Sequence, residues 1–161
     1  MQVKVGDFGL ASKLDHSKDK RKTICGTPNY LAPEFLEGNN EHSFGVDVWS
    51  LGVLAYTISI GKAPFATSEV KKTYKKIKKG HFVYPDKPQL SDELKSFINA
   101  ALTKDPDKRP SINKLLKHEF FQRHKIPNRM HDSTLEQKPT KEVVRELLGR
   151  SQITLNKSNV S

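Results

Sequence analysis

Hydrophobic and polar positions alternate along the chain with changing period, and each period predicts an element. Met1 to Val5 alternates as a short strand does, and Gly6 ends it. Ser12 to Thr27 is polar and charged, with Asp15, Ser17 and Asp19 favouring loop. Val46 to Ile60 is apolar nearly all round, which predicts a helix buried on most sides, stopped by Gly61 with Pro64 just beyond. Val70, Tyr74 and Ile77 recur at helical spacing and set the lysines between them on the outer face of a second helix. Ser91 caps a third, striped by Leu94, Phe97, Ile98, Ala101 and Leu102, with Asp92 and Glu93 favourably placed in its first turn. Asp105-Pro106 breaks that helix, and Ser111 caps a fourth with Ile112, Leu115 and Leu116 inward. The expected fold class is mainly α, with one strand at its start.

Aromatic positions mark where packing should end. The single Trp, 4 Tyr and 8 Phe all lie between Phe8 and Phe121. A packed domain is therefore expected over residues 1–124, its helical body running over 44–121, and a polar tail over 125–161 broken by Pro127 and Pro139. The tail holds one short helix candidate at 141–148, capped by Thr140 and Gly149 and striped by Val143, Val144, Leu147 and Leu148. Docking on the domain, docking on a partner and a loose tail all remain open for it.

Composition narrows the class. The 161 residues suit one domain, and a hydrophobic share of 35% means that part of the chain is tail or that the core is thin. A net charge of +10 invites nucleic acid, anionic membrane or acidic protein partners. Six of the cations, Lys71, Lys72, Lys75, Lys76, Lys78 and Lys79, stand on the second helix, where a solvated face is the plain explanation. That helix lacks the interleaved aromatics of a stacking platform, so no DNA or RNA partner is expected. The lone Cys25 excludes an internal disulfide and fits a reducing compartment. The histidines show no metal-ligand spacing. The apolar run Val48 to Ile60 is shorter than the ~20 residues that span a bilayer, and the N-terminus lacks a signal-peptide stretch. The expectation is an intracellular protein with no membrane partner.

Motifs then break the anonymity. Asp7-Phe8-Gly9 follows the predicted strand and opens the polar loop, which Ala32-Pro33-Glu34 closes. Asp47-Val48-Trp49-Ser50-Leu51-Gly52-Val53 begins the buried helix, and Asp105-Pro106-Asp107-Lys108-Arg109-Pro110 precedes the last one. A lone Asp-Phe-Gly triplet is weak evidence, but these motifs in this order and context are strong. Together they resemble the second half of a eukaryotic protein kinase catalytic domain, from the magnesium loop to the final helix of its large lobe. The run Lys22-Thr23-Ile24-Cys25-Gly26-Thr27-Pro28-Asn29-Tyr30-Leu31 resembles the activation segment of the polo-like serine/threonine kinases. His42-Ser43-Phe44, Gly61-Lys62-Ala63-Pro64-Phe65 and Lys72-Thr73-Tyr74 are similar to that family too, and the likeness extends to about residue 130.

The resemblance implies a partial protein-kinase-like fold with an activation segment at 7–34, ATP and Mg²⁺ as cofactors, and protein Ser/Thr as acceptor. It gives Asp7 the magnesium, with Phe8 packed beneath and Gly9 allowing the turn, because Mg²⁺ wants carboxylate oxygen. It makes Thr23 the activating phosphosite and Thr27 a contact between the substrate hydroxyl and the catalytic loop. Glu34 should pair with Arg109 in a largely buried ion pair, and Asp47 should cap amides of the catalytic loop. Protein substrates acidic around the target residue, and a cytoplasmic or nuclear location at spindle or centrosome, are further implications.

Several kinase parts do not occur in these residues. No two glycines stand two apart, so G-x-G-x-x-G is excluded, and no histidine is followed by Arg-Asp. The catalytic base, the ATP-orienting Lys and the second magnesium ligand are thus missing, and the chain alone is expected not to transfer phosphoryl groups usefully. Two readings stand: an incomplete copy of a full kinase, which the thin core favours, and a short product acting as a non-catalytic binding or decoy module.

Overall fold

The structure, a computed structural model, describes residues 4–14, 16, 20, 26–37, 43–123, 140, 142–143 and 145. Gly9–Phe120 form one compact unit, and Met1–Phe8 with Phe121–Ser161 form another. Among the described residues every regular element is helical: two 3-10 turns, Pro28–Tyr30 and Pro33–Phe35, then α1 Gly45–Ile60, α2 Val70–Lys79, α3 Asp92–Ala101, α4 Ile112–Leu115 and α5 Glu119–Arg123. The strand predicted for residues 1–5 does not appear where it is described: Lys4 and Val5 are exposed and irregular. A strand needs a neighbour to take its backbone hydrogen bonds, and none stands among the described residues.

Helix α1 organises the larger unit by packing on α3 and on the Pro28–Tyr30 turn. Its end follows from Gly61, whose φ of 85° only glycine adopts freely, with the Gly61 amide donating to the Thr57 carbonyl at 2.7 Å. Trp49 and Val53 face the core with no exposed surface. Trp49 stacks on Phe65 at 5.4 Å between ring centroids, and Phe82 meets both Phe65 and Tyr56 edge-on. Tyr84 extends this cluster and donates its hydroxyl to the Lys95 carbonyl. Burial, with the neighbouring Tyr56 adding to it, pushes the Tyr84 phenol up to about 12, so it stays a protonated donor at neutral pH.

Small residues set the approach of α1 to α3. A Cβ added at Gly52 would lie 2.8 Å from the Ala101 Cβ and 2.9 Å from the Leu102 side chain. Alanine at Gly52 would gain about 1 kcal/mol of helix propensity. Overpacking costs about 1–3 kcal/mol, and the Ala101 Cβ is fixed to its backbone and cannot swing aside. Gly52→Ala is therefore expected to lower the urea midpoint of the full chain, and an unchanged or raised midpoint would show that the helices separate freely.

Capping follows the sequence closely elsewhere. Ser91 Oγ accepts the Leu94 amide at 3.2 Å, and Ser111 Oγ accepts the Lys114 amide at 3.4 Å. Helix α3 closes at Leu102, ahead of Asp105-Pro106. Asp105 accepts the Asp107 amide at 3.0 Å and meets Lys108 at 3.3 Å, and both lower its pKa, the amide first.

Other expectations need correction. Helix α1 is not closed all round, since Leu54 is 45% and Ile58 76% exposed. In α2 the buried positions are Thr73 and Ile77, while Tyr74 is half-buried and Val70 exposed. Thr73 can turn inward because its hydroxyl has a partner in Thr67 Oγ1 at 2.9 Å. Helix α4 is a single turn, so only Leu115 is buried and Ile112 and Leu116 stay exposed. Of the tail helix expected at 141–148, residues 142, 143 and 145 are described as helical, and Thr140 Oγ1 accepts the Val143 amide at 3.3 Å. The rest of it lies outside the described residues.

Candidate active site

Thr27 opens the 3-10 turn Pro28–Tyr30, where proline presets the φ of the first position and the Tyr30 amide donates to the Thr27 carbonyl at 2.9 Å. Ser50 Oγ on α1 donates to the Tyr30 carbonyl at 3.1 Å and so ties the turn to the helix. Gly26, just before, holds φ at 120°, a conformation that L side chains rarely adopt.

This anchoring leaves a cavity of about 340 Å³ between the segment and the start of α1. Leu10, Leu14 and Leu31 are among its apolar walls, while Thr27, Asp47 and Ser43 bring polar groups to it. Asp47 stands in the first turn of α1, where the helix dipole favours an acid. Ser43 Oγ is buried and finds no hydrogen-bond partner among the described residues. The structure thus brings Thr27 and Asp47 to one cavity. Both residues are exposed, open to whatever group approaches from that side.

A second constellation ties the end of the segment to the loop after α3. Glu34, in the turn Pro33–Phe35, and Arg109 are both buried. Arg109 Nη1 donates to Glu34 Oε1 at 2.7 Å and Nη2 to Oε2 at 2.9 Å. The rest of the guanidinium fans out to backbone: Nη1 to Gly45 O at 2.8 Å, Nη2 to Lys104 O at 3.1 Å, and Nε to Thr103 O at 2.9 Å. Every N–H that arginine owns is thereby matched, and its plane lies 5.2 Å from the Trp49 ring centre. One side chain holds the segment end, the start of α1 and the α3 exit in register.

Asp7 and Phe8 belong to the other compact unit. Both are exposed, and Asp7 takes a left-handed φ of 61°, uncommon outside glycine but tolerated by aspartate. No cluster of three or more His, Cys, Asp or Glu that could cage a metal occurs among the described residues. Mg²⁺ needs no such cage, since it takes one or two carboxylates and completes its shell with phosphate and water. A single open carboxylate at Asp7 fits that demand. Thr23 and Cys25 lie outside the described residues, and Gly9 stands in a turn. Sequence reasoning gave Ser50 and Tyr30 no role, although both stand inside quoted motifs; a hydroxyl four residues after Val46 on a helix signals nothing about a carbonyl so far upstream.

The protein kinase domain family matches residues 1–121. A probable serine/threonine-protein kinase PLK of Dictyostelium discoideum is 45% identical over 150 residues, which cover 93% of this chain and 15% of that protein. The serine/threonine-protein kinase PLK1 of Xenopus laevis is 46% identical over 135 residues, 84% of this chain and 22% of its own length. The polo kinase of Drosophila melanogaster is 42% identical over 139 residues, 86% of this chain and 24% of its own. The chain belongs to the protein kinase family, and its homology is to the polo-like serine/threonine kinases. It spans less than a quarter of the length of these relatives. No helix among the described residues is long and apolar enough to cross a membrane.

Proposed function

We propose that the protein to which these residues belong transfers a phosphoryl group from ATP to serine or threonine of protein substrates. The observation that carries this reading is the joint placement of Thr27 and Asp47 on one cavity, beneath a segment locked by Glu34 and Arg109. In it, Asp7 holds Mg²⁺, which when bound neutralises charge on the phosphates of ATP. Thr27 contacts the catalytic loop beside the acceptor hydroxyl, and Asp47 offers its carboxylate to that loop's amides across the cavity. Arg109 fixes the floor on which the acceptor segment lies. Phosphate on Thr23 orders the polar loop around it, whose lysines and arginine supply the counter-charge.

The His-Arg-Asp base, the glycine-rich loop and the ATP-orienting Lys come in this reading from residues beyond the present ones, so the isolated chain is inactive. We place the end of the kinase portion at residue 124 and treat 125–161 as tail. The expected setting is that of a cell-cycle kinase, at spindle or centrosome, acting on acidic target sequences. A second reading, a non-catalytic decoy, draws on the compactness of Gly9–Phe120, which hold a core of their own around Trp49. The test is ATP-dependent phosphorylation of a protein substrate by the natural protein, isolated from its cells. Asp7→Asn is expected to lower the rate at least about 100-fold, as loss of a charge-stabilising group does. Equal rates in both proteins would overturn the assignment of Asp7, and no transfer by the native protein would favour the decoy.

A further inference from the structure

The lysine face of α2 exceeds what folding asks of it. Thr73 and Ile77 are the buried residues of this helix, and Lys71, Lys72, Lys75, Lys76, Lys78 and Lys79 occupy the opposite arc, all exposed. Lys71 with Lys75, Lys72 with Lys76, and Lys75 with Lys79 stand four apart, where like charges destabilise a helix. Among the described residues one ion pair relieves them, Lys72 Nζ with Glu69 Oε1 at 2.6 Å. The lysines of the last turn suit the negative end of the helix dipole, but Lys71 and Lys72 stand at the positive end, where cations are disfavoured. Helix α2 also packs against the Pro28–Tyr30 turn, so its charge lies beside the segment that carries Thr27.

We propose that this lysine face docks a carboxylate-rich segment of the protein substrate and holds it beside the Thr27 segment. The inference rests on the kinase reading above and gives the substrate's acidic character a place on the molecule. Flexible ammonium groups spaced along a helix suit separate carboxylates, each met as a point charge. Nucleic acid fits less well, because α2 carries no arginine and its only aromatic, Tyr74, is half-buried. A membrane surface fits less well too. The buried Thr73 and Ile77 are turned into the protein, which leaves Val70 as the one exposed apolar residue to insert.

The test measures fluorescence anisotropy of a labelled Glu/Asp-rich peptide with the full chain and with its K71Q/K75Q/K78Q/K79Q variant. These side chains are exposed and mutually repelling, so the variant keeps its fold, checked by circular dichroism. The native chain is expected to bind the peptide, to lose it as salt rises, and to ignore the matched Gln/Asn peptide. The variant should bind at least about tenfold more weakly, the combined loss of several exposed ion pairs. Equal binding by variant and native chain, or none by the native chain, would overturn the proposal. Tighter, lysine-dependent binding of duplex nucleic acid or of phosphatidylserine vesicles would overturn it as well. Binding needs no ATP, so an inactive kinase that still binds through these lysines refutes only the catalytic reading. An active kinase without lysine-dependent binding refutes only the docking surface.

Discussion

Arg109→Ala is expected to unfold most of the chain under conditions where the native chain is folded. The substitution leaves the Glu34 carboxylate buried without its cation, and breaking a buried pair in this way costs about 3–5 kcal/mol. It also strips the donors from Gly45 O, Thr103 O and Lys104 O, which places the loss at the upper end of that range. A domain's whole stability is about 5–15 kcal/mol, so a thin-cored domain at the low end of that range keeps little of it. Arg109→Lys does not rescue, because an ammonium cannot reach two carboxylate oxygens and three carbonyls at once. Glu34→Gln is milder, since the amide oxygen still accepts from one guanidinium N–H, although its NH2 group then faces the other donor. Urea denaturation followed by circular dichroism checks the order: Arg109→Ala worst, Arg109→Lys close behind, Glu34→Gln least. A lysine variant as stable as the native chain would show that charge alone, and not the fan of hydrogen bonds, holds this junction.

The second large effect is at Trp49. Its side chain is fully buried between the Phe65 ring and the Arg109 guanidinium, and truncation to alanine should cost about 3–5 kcal/mol. Trp49→Phe separates packing from polarity. The smaller ring keeps the stack on Phe65 and discards an indole N–H that has no hydrogen-bond partner among the described residues. It is therefore expected to retain most of the stability that alanine loses, again by urea midpoint. Equal losses for the two variants would mean that the full volume of the indole, and not the stack on Phe65 alone, holds this position.

Much of the fold was legible because local chemistry and packing agree. Gly61 ends α1 by a conformation that its sequence announces, and Ser91 and Ser111 cap α3 and α4 as small hydroxyl residues do. Where the reading failed, the deciding fact was distant in sequence. The inward face of α2 turns on Thr67, which satisfies the Thr73 hydroxyl and lets it displace Val70 from the interior. Leu54 and Ile58 look like core on a periodicity argument, but no element among the described residues covers that side of α1. The Glu34–Arg109 pairing was reachable only through the family resemblance. Its backbone partners were not reachable at all, because three carbonyls from separate segments converge on one guanidinium only after the chain has folded. For Thr27 and Asp47 the motifs gave residue types and order, and the 3-10 turn pinned by Ser50 gave them a shared cavity.

The most direct measurement is the intact mass and N-terminal peptide map of the natural protein taken from its own cells. A kinase of which these residues form the latter part of the catalytic domain should be much heavier than 18.3 kDa and yield peptides that precede Met1, among them a His-Arg-Asp sequence. A product of 18.3 kDa that starts at Met1 would contradict the catalytic reading and leave a binding module in its place.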